Sequence, residues 1–115
     1  EHFGIKIDEC EDPQFLHYRV GDFFVAHQDG NTGLLRLETE KRKISTIIFL
    51  SSESETPQVD SHCGGSLVFS NYRLTPGRFR MVVAPGMLVA FRSETTHEIT
   101  PLTHGERFSI ASWYW

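Results

Sequence analysis

Three residues of the chain could together hold a metal ion: His27, Asp29 and His97. His27 and Asp29 are two positions apart near the end of a predicted strand, and because side chains alternate across a strand, both point to the same face. A third ligand must come from another strand, and His97 lies in a suitable β-prone stretch. Two imidazoles and one carboxylate bind one face of an octahedral ferrous ion and leave adjacent positions open. Because a His-x-Asp pair can arise by chance in a chain with six histidines, this grouping is a hypothesis.

A candidate anion-binding residue, Arg107, follows His97 in the sequence. Arg107 and Ser109 share one face of the predicted last strand. A guanidinium beside a hydroxyl binds a carboxylate through a bidentate ion pair and a further hydrogen bond. Considered singly, Arg107 is more typical of a surface charge at a strand start. Its position after the three candidate ligands favours the anion site.

The elements that must position these residues are predicted to be strands. Apolar residues nowhere keep a helical spacing beyond a turn or two, whereas short β-branched and aromatic runs recur between Gly, Pro, Asn and Ser. The predicted strands are 3–7, 15–20, 22–29, 44–51, 66–69, 79–84, 87–92, 95–100 and 107–115. The polar segment 51–60 is predicted to be a long mobile loop. The regular spacing of strands and turns favours a sandwich, barrel or jelly roll.

The composition is that of a single globular domain, here residues 1–115: 39% of the residues are hydrophobic and 23% are charged. A net charge of −4 argues against a general electrostatic attraction to nucleic acid or anionic lipid. The apolar runs are far shorter than the roughly 18 residues of a membrane helix. Cys10 and Cys63 are predicted to be free thiols in a reducing compartment, the cytoplasm. The lack of an initiator methionine indicates a domain excised from a longer chain.

As an ordered set, these motifs resemble the iron(II)- and 2-oxoglutarate-dependent oxygenases, in their prolyl 4-hydroxylase-like branch. The similarity covers about residues 15–115, and the matching stretches are 18–24 before His27-x-Asp29, then 42–50, 64–69 and 85–113. The resemblance implies a mostly β protein with a double-stranded β-helix, the jelly roll also found in cupins. The N-terminal helices that usually back the larger sheet of this fold are missing from these residues or lie upstream.

The resemblance also implies roles for the candidate residues. His27, Asp29 and His97 would bind Fe(II), and Arg107 would pair with the distal carboxylate of 2-oxoglutarate. Further cosubstrate-binding candidates are Tyr18, Ser109 and Thr46. Phe49 stands where related hydroxylases often carry tyrosine, so the phenolic hydrogen bond to that carboxylate is missing.

The residues around the site are predicted less directly. Candidates for an apolar lining are Phe23, Val25, Ile48, Leu88 and Ile99. Candidates for flanking the substrate opening are Arg36, Lys41, Arg42, Arg80 and Arg92. Trp113 shares the strand parity of Arg107 and could either reach the pocket wall or cap the sheet.

The implied activity is a dioxygenase that uses Fe(II), 2-oxoglutarate and O2, with ascorbate as a further candidate. It would hydroxylate an aliphatic C–H bond, foremost in a prolyl residue of a peptide or protein, or in a small molecule, and release succinate and CO2. Two alternatives stay open: a non-catalytic β-helix module that binds a metal or ligand, and a nucleic-acid oxidative demethylase. The demethylase family adds a second arginine where this chain has Trp113. The sequence indicates no membrane partner and leaves the oligomeric state open.

Overall fold

The computed structural model describes residues 3–30, 41–71 and 77–115, and within these ranges it contains strands and no helix. The strands are β1 (Gln14–Tyr18), β2 (Phe24–His27), β3 (Ile44–Phe49), β4 (Ser52–Glu53), β5 (Ser61–Gly64), β6 (Leu67–Asn71), β7 (Gly77–Arg80), β8 (Leu88–Arg92), β9 (His97–Ile99), β10 (Leu102–His104) and β11 (Arg107–Tyr114). No helix long and apolar enough to cross a membrane occurs in these three ranges.

The strands form two four-stranded sheets and one small sheet. Their orders are β1-β11-β3-β8, β2-β9-β6-β7 and β10-β5-β4. The core lies between the two larger sheets, because Val89 and Phe91 of the first pack in one cluster with Leu67 and Ile99 of the second. The predicted jelly roll is confirmed.

The register of the first sheet decides which side chains face the interior. Tyr18 pairs with Arg107 across β1 and β11, and Phe49 pairs with Ser109 across β3 and β11. Directly paired residues share a face, so these four side chains lie together on the inner side. A row on the outer face crosses all four strands: Phe15, Ile110, Ile48 and Leu88.

Each predicted strand except 3–7 has a counterpart in the structure. The prediction of a strand at 3–7 is wrong, and the chain pairs with its C-terminal end only further on, where the amides of Asp8 and Glu9 donate to the carbonyl of Trp115 at 2.8 and 2.9 Å. Three short strands, β4, β5 and β10, were missed, because two to four polar or glycine-containing residues give too little alternation. The predicted loop 51–60 is therefore wrong at Ser52–Glu53, which pairs in parallel with β5.

Candidate active site

The three candidate metal ligands meet at one point of the structure. His27 ends β2, His97 begins β9 directly opposite it, and Asp29 follows β2 by two residues. Asp29 Oδ1 lies 3.1 Å from Nε2 of His27 and 3.5 Å from Nε2 of His97. One donor atom from each residue lies within 4.8 Å of the others. The arrangement presents two nitrogens and one oxygen to a single ion.

The backbone fixes which nitrogen of each imidazole is free to bind a metal. Nδ1 of His27 lies 2.7 Å from the carbonyl of Val25, and Nδ1 of His97 lies 3.0 Å from the carbonyl of Thr95. A carbonyl only accepts, so both Nδ1 atoms carry a proton, and Nε2 is the atom of each ring that faces Asp29 and that a metal ion would bind. Metal-binding histidines are oriented by this kind of hydrogen bond.

Asp29 is held where its carboxylate stays ionised. Its amide and that of Gly30 donate to the carbonyl of Ser93 at 2.9 and 3.0 Å. Burial acts to raise the pKa of Asp29, but hydrogen bonds from His27, Ser45 and Trp113, with the positive charge of His97 when protonated, lower it to about 2. The carboxylate is therefore an anionic ligand at neutral pH.

His97 is the more deeply placed of the two imidazoles. Its side chain is 4% exposed, whereas that of His27 is 25% exposed. Burial lowers the pKa of His97, against the opposite effect of Asp29, so the ring is neutral and able to ligate. Phe91 packs against it with ring centroids 4.8 Å apart. The site is thus closed by aromatic packing at His97 and open to solvent at His27.

Arg107 is a fully buried cation whose side chain lacks a carboxylate partner within 4.0 Å among the described residues. Nη1 donates to Ser109 Oγ at 3.0 Å, while Nε and Nη2 have no hydrogen-bond partner in the described part of the chain. Burial lowers the pKa of Arg107, yet a guanidinium stays protonated. Buried charges are normally paired, so these free donors point to an anionic ligand.

Two aromatic rings flank this guanidinium. Its central carbon lies 5.1 Å from the ring centre of Tyr18 and 5.5 Å from that of Phe49. Burial raises the pKa of the Tyr18 hydroxyl, which therefore stays protonated as a potential donor. Thr46 also lines the cavity, but it pairs with Ser112 and its hydroxyl donates to the Ser112 carbonyl at 3.4 Å. Cosubstrate binding by Thr46 stays a prediction, and its hydroxyl already has a backbone acceptor.

One cavity of about 290 Å³ connects the candidate metal ligands with Arg107. Its volume is near the lower limit for ligand pockets, which suits a small metabolite. Its walls are mostly apolar, and the lining includes Leu16, Tyr18, Phe24, Ile47, Ile99, Ser109, Ala111 and Trp113. Trp113 thus reaches the pocket wall, as one of its two predicted placements required.

Most of the predicted apolar lining is wrong, and a strand irregularity explains part of the error. The β2–β9 register shifts between Phe24 and His27, which places the Phe24 ring 4.0 Å from the His27 ring. Phe24 therefore lines the cavity in place of Phe23 and Val25, which are 57% and 63% exposed. On the first sheet, Ile47 faces inward, so the predicted Ile48 and Leu88 fall on the outer face. Only Ile99 of the predicted set lines the cavity.

Of the predicted basic residues around the opening, Arg42 lines the cavity. It stacks on Trp113 at 4.0 Å and pairs with Glu11 at 2.8 Å. Lys41 lies over the Trp115 ring, Arg80 pairs with Glu53, and Arg92 with Glu94. The three do not line the cavity. Arg36 lies outside the described residues.

Comparison with known proteins identifies the class. Residues 13–115 match the model of the 2OG-Fe(II) oxygenase superfamily, and the chain belongs to that family. A PKHD-type hydroxylase of Shewanella oneidensis is 32% identical over 106 residues, which are 88% of this chain and 41% of that protein. A PKHD-type hydroxylase of Burkholderia lata is 35% identical over 106 residues, 90% of this chain and 41% of the relative. The chain thus spans about two fifths of the length of these curated relatives.

Solved structures show the same fold. A prolyl-4-hydroxylase from Pseudomonas putida superposes with a TM-score of 0.70 at 26% identity, over 94% of this chain and 53% of that one. A prolyl hydroxylase from Trichoplax adhaerens, solved with a peptide fragment of hypoxia inducible factor, gives 0.71 at 20% identity, over 95% of this chain and 45% of that one. Family membership implies Fe(II) and 2-oxoglutarate, and two imidazole nitrogens with one carboxylate oxygen are a donor set that fits Fe(II).

Proposed function

We propose that residues 1–115 are the catalytic core of a 2-oxoglutarate-dependent dioxygenase that hydroxylates an aliphatic C–H bond, foremost in a prolyl residue of a peptide or protein. One observation carries the proposal: a single cavity holds a metal-ligand triad at one end and a buried guanidinium with free donors at the other. A dicarboxylate that reaches both ends would satisfy the guanidinium and be held beside the metal.

The roles of the residues follow from their positions. His27, Asp29 and His97 would hold Fe(II), and Arg107 would bind the distal carboxylate of 2-oxoglutarate. Ser109 accepts a hydrogen bond from Nη1 and so orients the guanidinium. The ring of Tyr18 packs against the guanidinium. This end offers no phenol at Phe49, which makes binding depend more strongly on Arg107.

Bound Fe(II) would supply the activation of O2 with 2-oxoglutarate as the two-electron donor, which yields succinate, CO2 and a hydroxylated product. The protein itself positions the reactants and excludes water. The apolar walls at Leu16, Ile47, Ile99 and Ala111 limit water at the reaction centre, which suppresses stray oxidation.

The substrate would approach from the side of His27. His27 is the most exposed of the three candidate ligands, and the neighbouring Phe24 is 48% exposed. An exposed aromatic ring beside the metal site suits an apolar ring such as that of proline. Names of relatives and structural neighbours also refer to hydroxylases and prolyl hydroxylases.

Further parts of the proposal rest on the family or on composition. Ascorbate would serve as an auxiliary reductant. A cytoplasmic location is consistent with Cys10 and Cys63, which form no disulfide in the structure. Nucleic acid is a less suitable substrate, because the net charge is −4 and Trp113 occupies the position of the demethylase arginine.

The test is to supply Fe(II), 2-oxoglutarate and air with a library of proline-containing peptides and small molecules. We expect succinate release together with a product heavier by one oxygen atom, detected by mass spectrometry. His97→Ala should abolish both signals, and Arg107→Ala should weaken both at low 2-oxoglutarate. A spectrum without the visible absorption of an anaerobic Fe(II)–2-oxoglutarate chelate, and no succinate, would instead indicate the non-catalytic binding module.

A further inference from the structure

Two buried polar side chains near the anion end are not used by the proposed reaction. The side chain of Glu53 on β4 is 4% exposed, and His62, its partner on β5, is 1% exposed. Both interact electrostatically with Arg107. An acid and an imidazole therefore lie within electrostatic range of the buried guanidinium without a direct ion pair to it.

The carboxylate of Glu53 is held by Ser66 and by Arg80, which is partly exposed to solvent. Ser66 donates a hydrogen bond to Glu53 Oε1, and Arg80 Nε donates to Ser66 Oγ at 3.2 Å. Arg80 Nη2 also lies 3.5 Å from Glu53 Oε1, and this arginine is 47% exposed. The carboxylate thus has a half-exposed partner in Arg80 and a longer-range, buried partner in Arg107.

Gly65 lets the imidazole and the guanidinium come close. A Cβ atom at this position would lie 2.9 Å from Cδ of Arg107 and 3.7 Å from Cδ2 of His62, and the backbone has a φ of +60°. Nδ1 of His62 has no hydrogen-bond partner among the described residues, as is true of Nε and Nη2 of Arg107. His62 and Arg107 thus lie in one buried region, and each has polar atoms there without a hydrogen-bond partner among the described residues.

The lack of a direct ion pair between Glu53 and Arg107 among the described residues has an energetic consequence. Burying a cation is costly unless an anion lies near it. A carboxylate in direct contact would lower this cost, but it would also occupy the donors that a ligand needs. A carboxylate at longer range stabilises the charge and leaves the donors free, and it also repels an incoming anion.

We propose that Glu53 is the resident counter-ion of Arg107 in the ligand-free protein, and that its charge weakens the binding of the dicarboxylate. His62, paired with Glu53 and close to Gly65, is a buried neighbour of both charges. Glu53 is in this sense a positioning and affinity-setting residue that does not touch the ligand. The inference rests on the proposed function, because it takes the dicarboxylate of that reaction as the ligand of Arg107.

The decisive variant is Glu53→Gln, which removes the charge and keeps the size and an oxygen for Ser66. Metal-free protein is titrated calorimetrically with 2-oxoglutarate and with succinate, so that only the anion end is measured. We expect both dissociation constants to fall by roughly threefold to tenfold. The melting temperature without ligand should fall by roughly 5 °C, since the buried cation loses its counter-ion. A purely structural role for Glu53 predicts the lower melting temperature with equal or weaker binding, and that result would overturn the inference.

Two further measurements keep the test independent of folding problems. The matched control Glu106→Gln removes an acid next to Arg107 in sequence but 56% exposed, and it should change neither quantity. If Glu53→Gln does not fold alone, saturating 2-oxoglutarate should restore its thermal transition, and failure to do so counts against the counter-ion role. In an Arg107→Met background, Glu53→Gln should destabilise the protein less than it does in the wild type, because only the contacts of Glu53 with Ser66 and Arg80 are then weakened. If the wild-type chain binds neither dicarboxylate, the proposed function fails; if it binds both and Glu53→Gln binds them more weakly, only this inference fails.

Discussion

The two ends of the cavity are organised in different ways. At the metal end, each imidazole is oriented by a carbonyl two residues earlier in its own strand region, that of Val25 for His27 and that of Thr95 for His97. At the anion end, Ser109 is the one side-chain acceptor of Arg107 among the described residues, and the aromatic rings that flank the guanidinium come from distant parts of the chain. Local hydrogen bonds therefore orient the side chains at the metal end, whereas packing and charge from distant parts of the chain position Arg107 at the anion end.

This difference bears on stability as well as on binding. The metal ligands are partnered with one another or with the backbone before any ion binds, so an empty metal end leaves few unpaired atoms. At the anion end, buried donors of Arg107 have no partner within residues 3–30, 41–71 and 77–115, and leaving such donors unpaired costs folding free energy. We therefore expect substitutions at the two ends to have different effects. A substitution at the metal end should lower the affinity for the metal alone. A substitution of Arg107 at the anion end should weaken anion binding and raise the stability of the ligand-free protein.

The largest expected effect is that of Asp29→Ala. The variant removes the single anionic ligand, so Fe(II) affinity should fall by more than about 100-fold, beyond the effect typical of supporting residues. Binding of succinate to the metal-free protein should persist, because Arg107 is unchanged. Metal analysis after anaerobic loading and calorimetry measure the two quantities, with the exposed Asp12→Ala as control. Near-native iron retention in Asp29→Ala would contradict the assigned triad.

Arg107→Met should produce the complementary result. Without the guanidinium, the dissociation constant of 2-oxoglutarate should rise by roughly 100-fold, while Fe(II) affinity stays within about twofold of wild type. The ligand-free protein should become more stable by about 1 kcal/mol, since an apolar side chain replaces a buried charge without a direct partner. Chemical denaturation measures this change in the free energy of unfolding. A large loss of both metal and dicarboxylate binding would mean that the two ends are not separable.

Ser45→Ala should weaken the metal end by a smaller amount. Ser45 is buried, pairs with Trp113 across β3 and β11, and hydrogen-bonds to Asp29 and to Ser93. Its loss should reduce Fe(II) affinity by roughly tenfold, as is typical of residues that orient a ligand. The matched control is Ser112→Ala, on the outer face of the same sheet. Equal metal affinity in both variants would show that the backbone alone orients Asp29.

The same contrast explains how much of the site could be predicted from sequence. His27, Asp29 and His97 depend on strand alternation and on a spacing that is visible in the chain, and the structure brings them together. The Phe24 placement could not be predicted, because the register shift in β2 reverses parity within a single strand. Glu53 and His62 gave no signal either, since β4 and β5 are too short to show alternation. Thr46 shows a different limit: alternation places it on the strand face opposite to Ile47, yet the structure has both residues in the cavity lining.

The smallest expected effect comes from Phe49→Tyr, which adds a phenolic donor to the anion end. Phe49 is 2% exposed and lies 5.5 Å from the guanidinium, so its new hydroxyl would share the buried region with Arg107. Overpacking should lower the free energy of unfolding by about 1 kcal/mol. One additional hydrogen bond to the dicarboxylate should lower its dissociation constant by roughly threefold. Calorimetry with succinate tests this, with Phe108→Tyr on the outer face as control. Weaker binding by a folded Phe49→Tyr protein would show that the anion end needs an apolar side chain at position 49. It would also indicate that Arg107 and Ser109 already supply the hydrogen bonds that the carboxylate can accept.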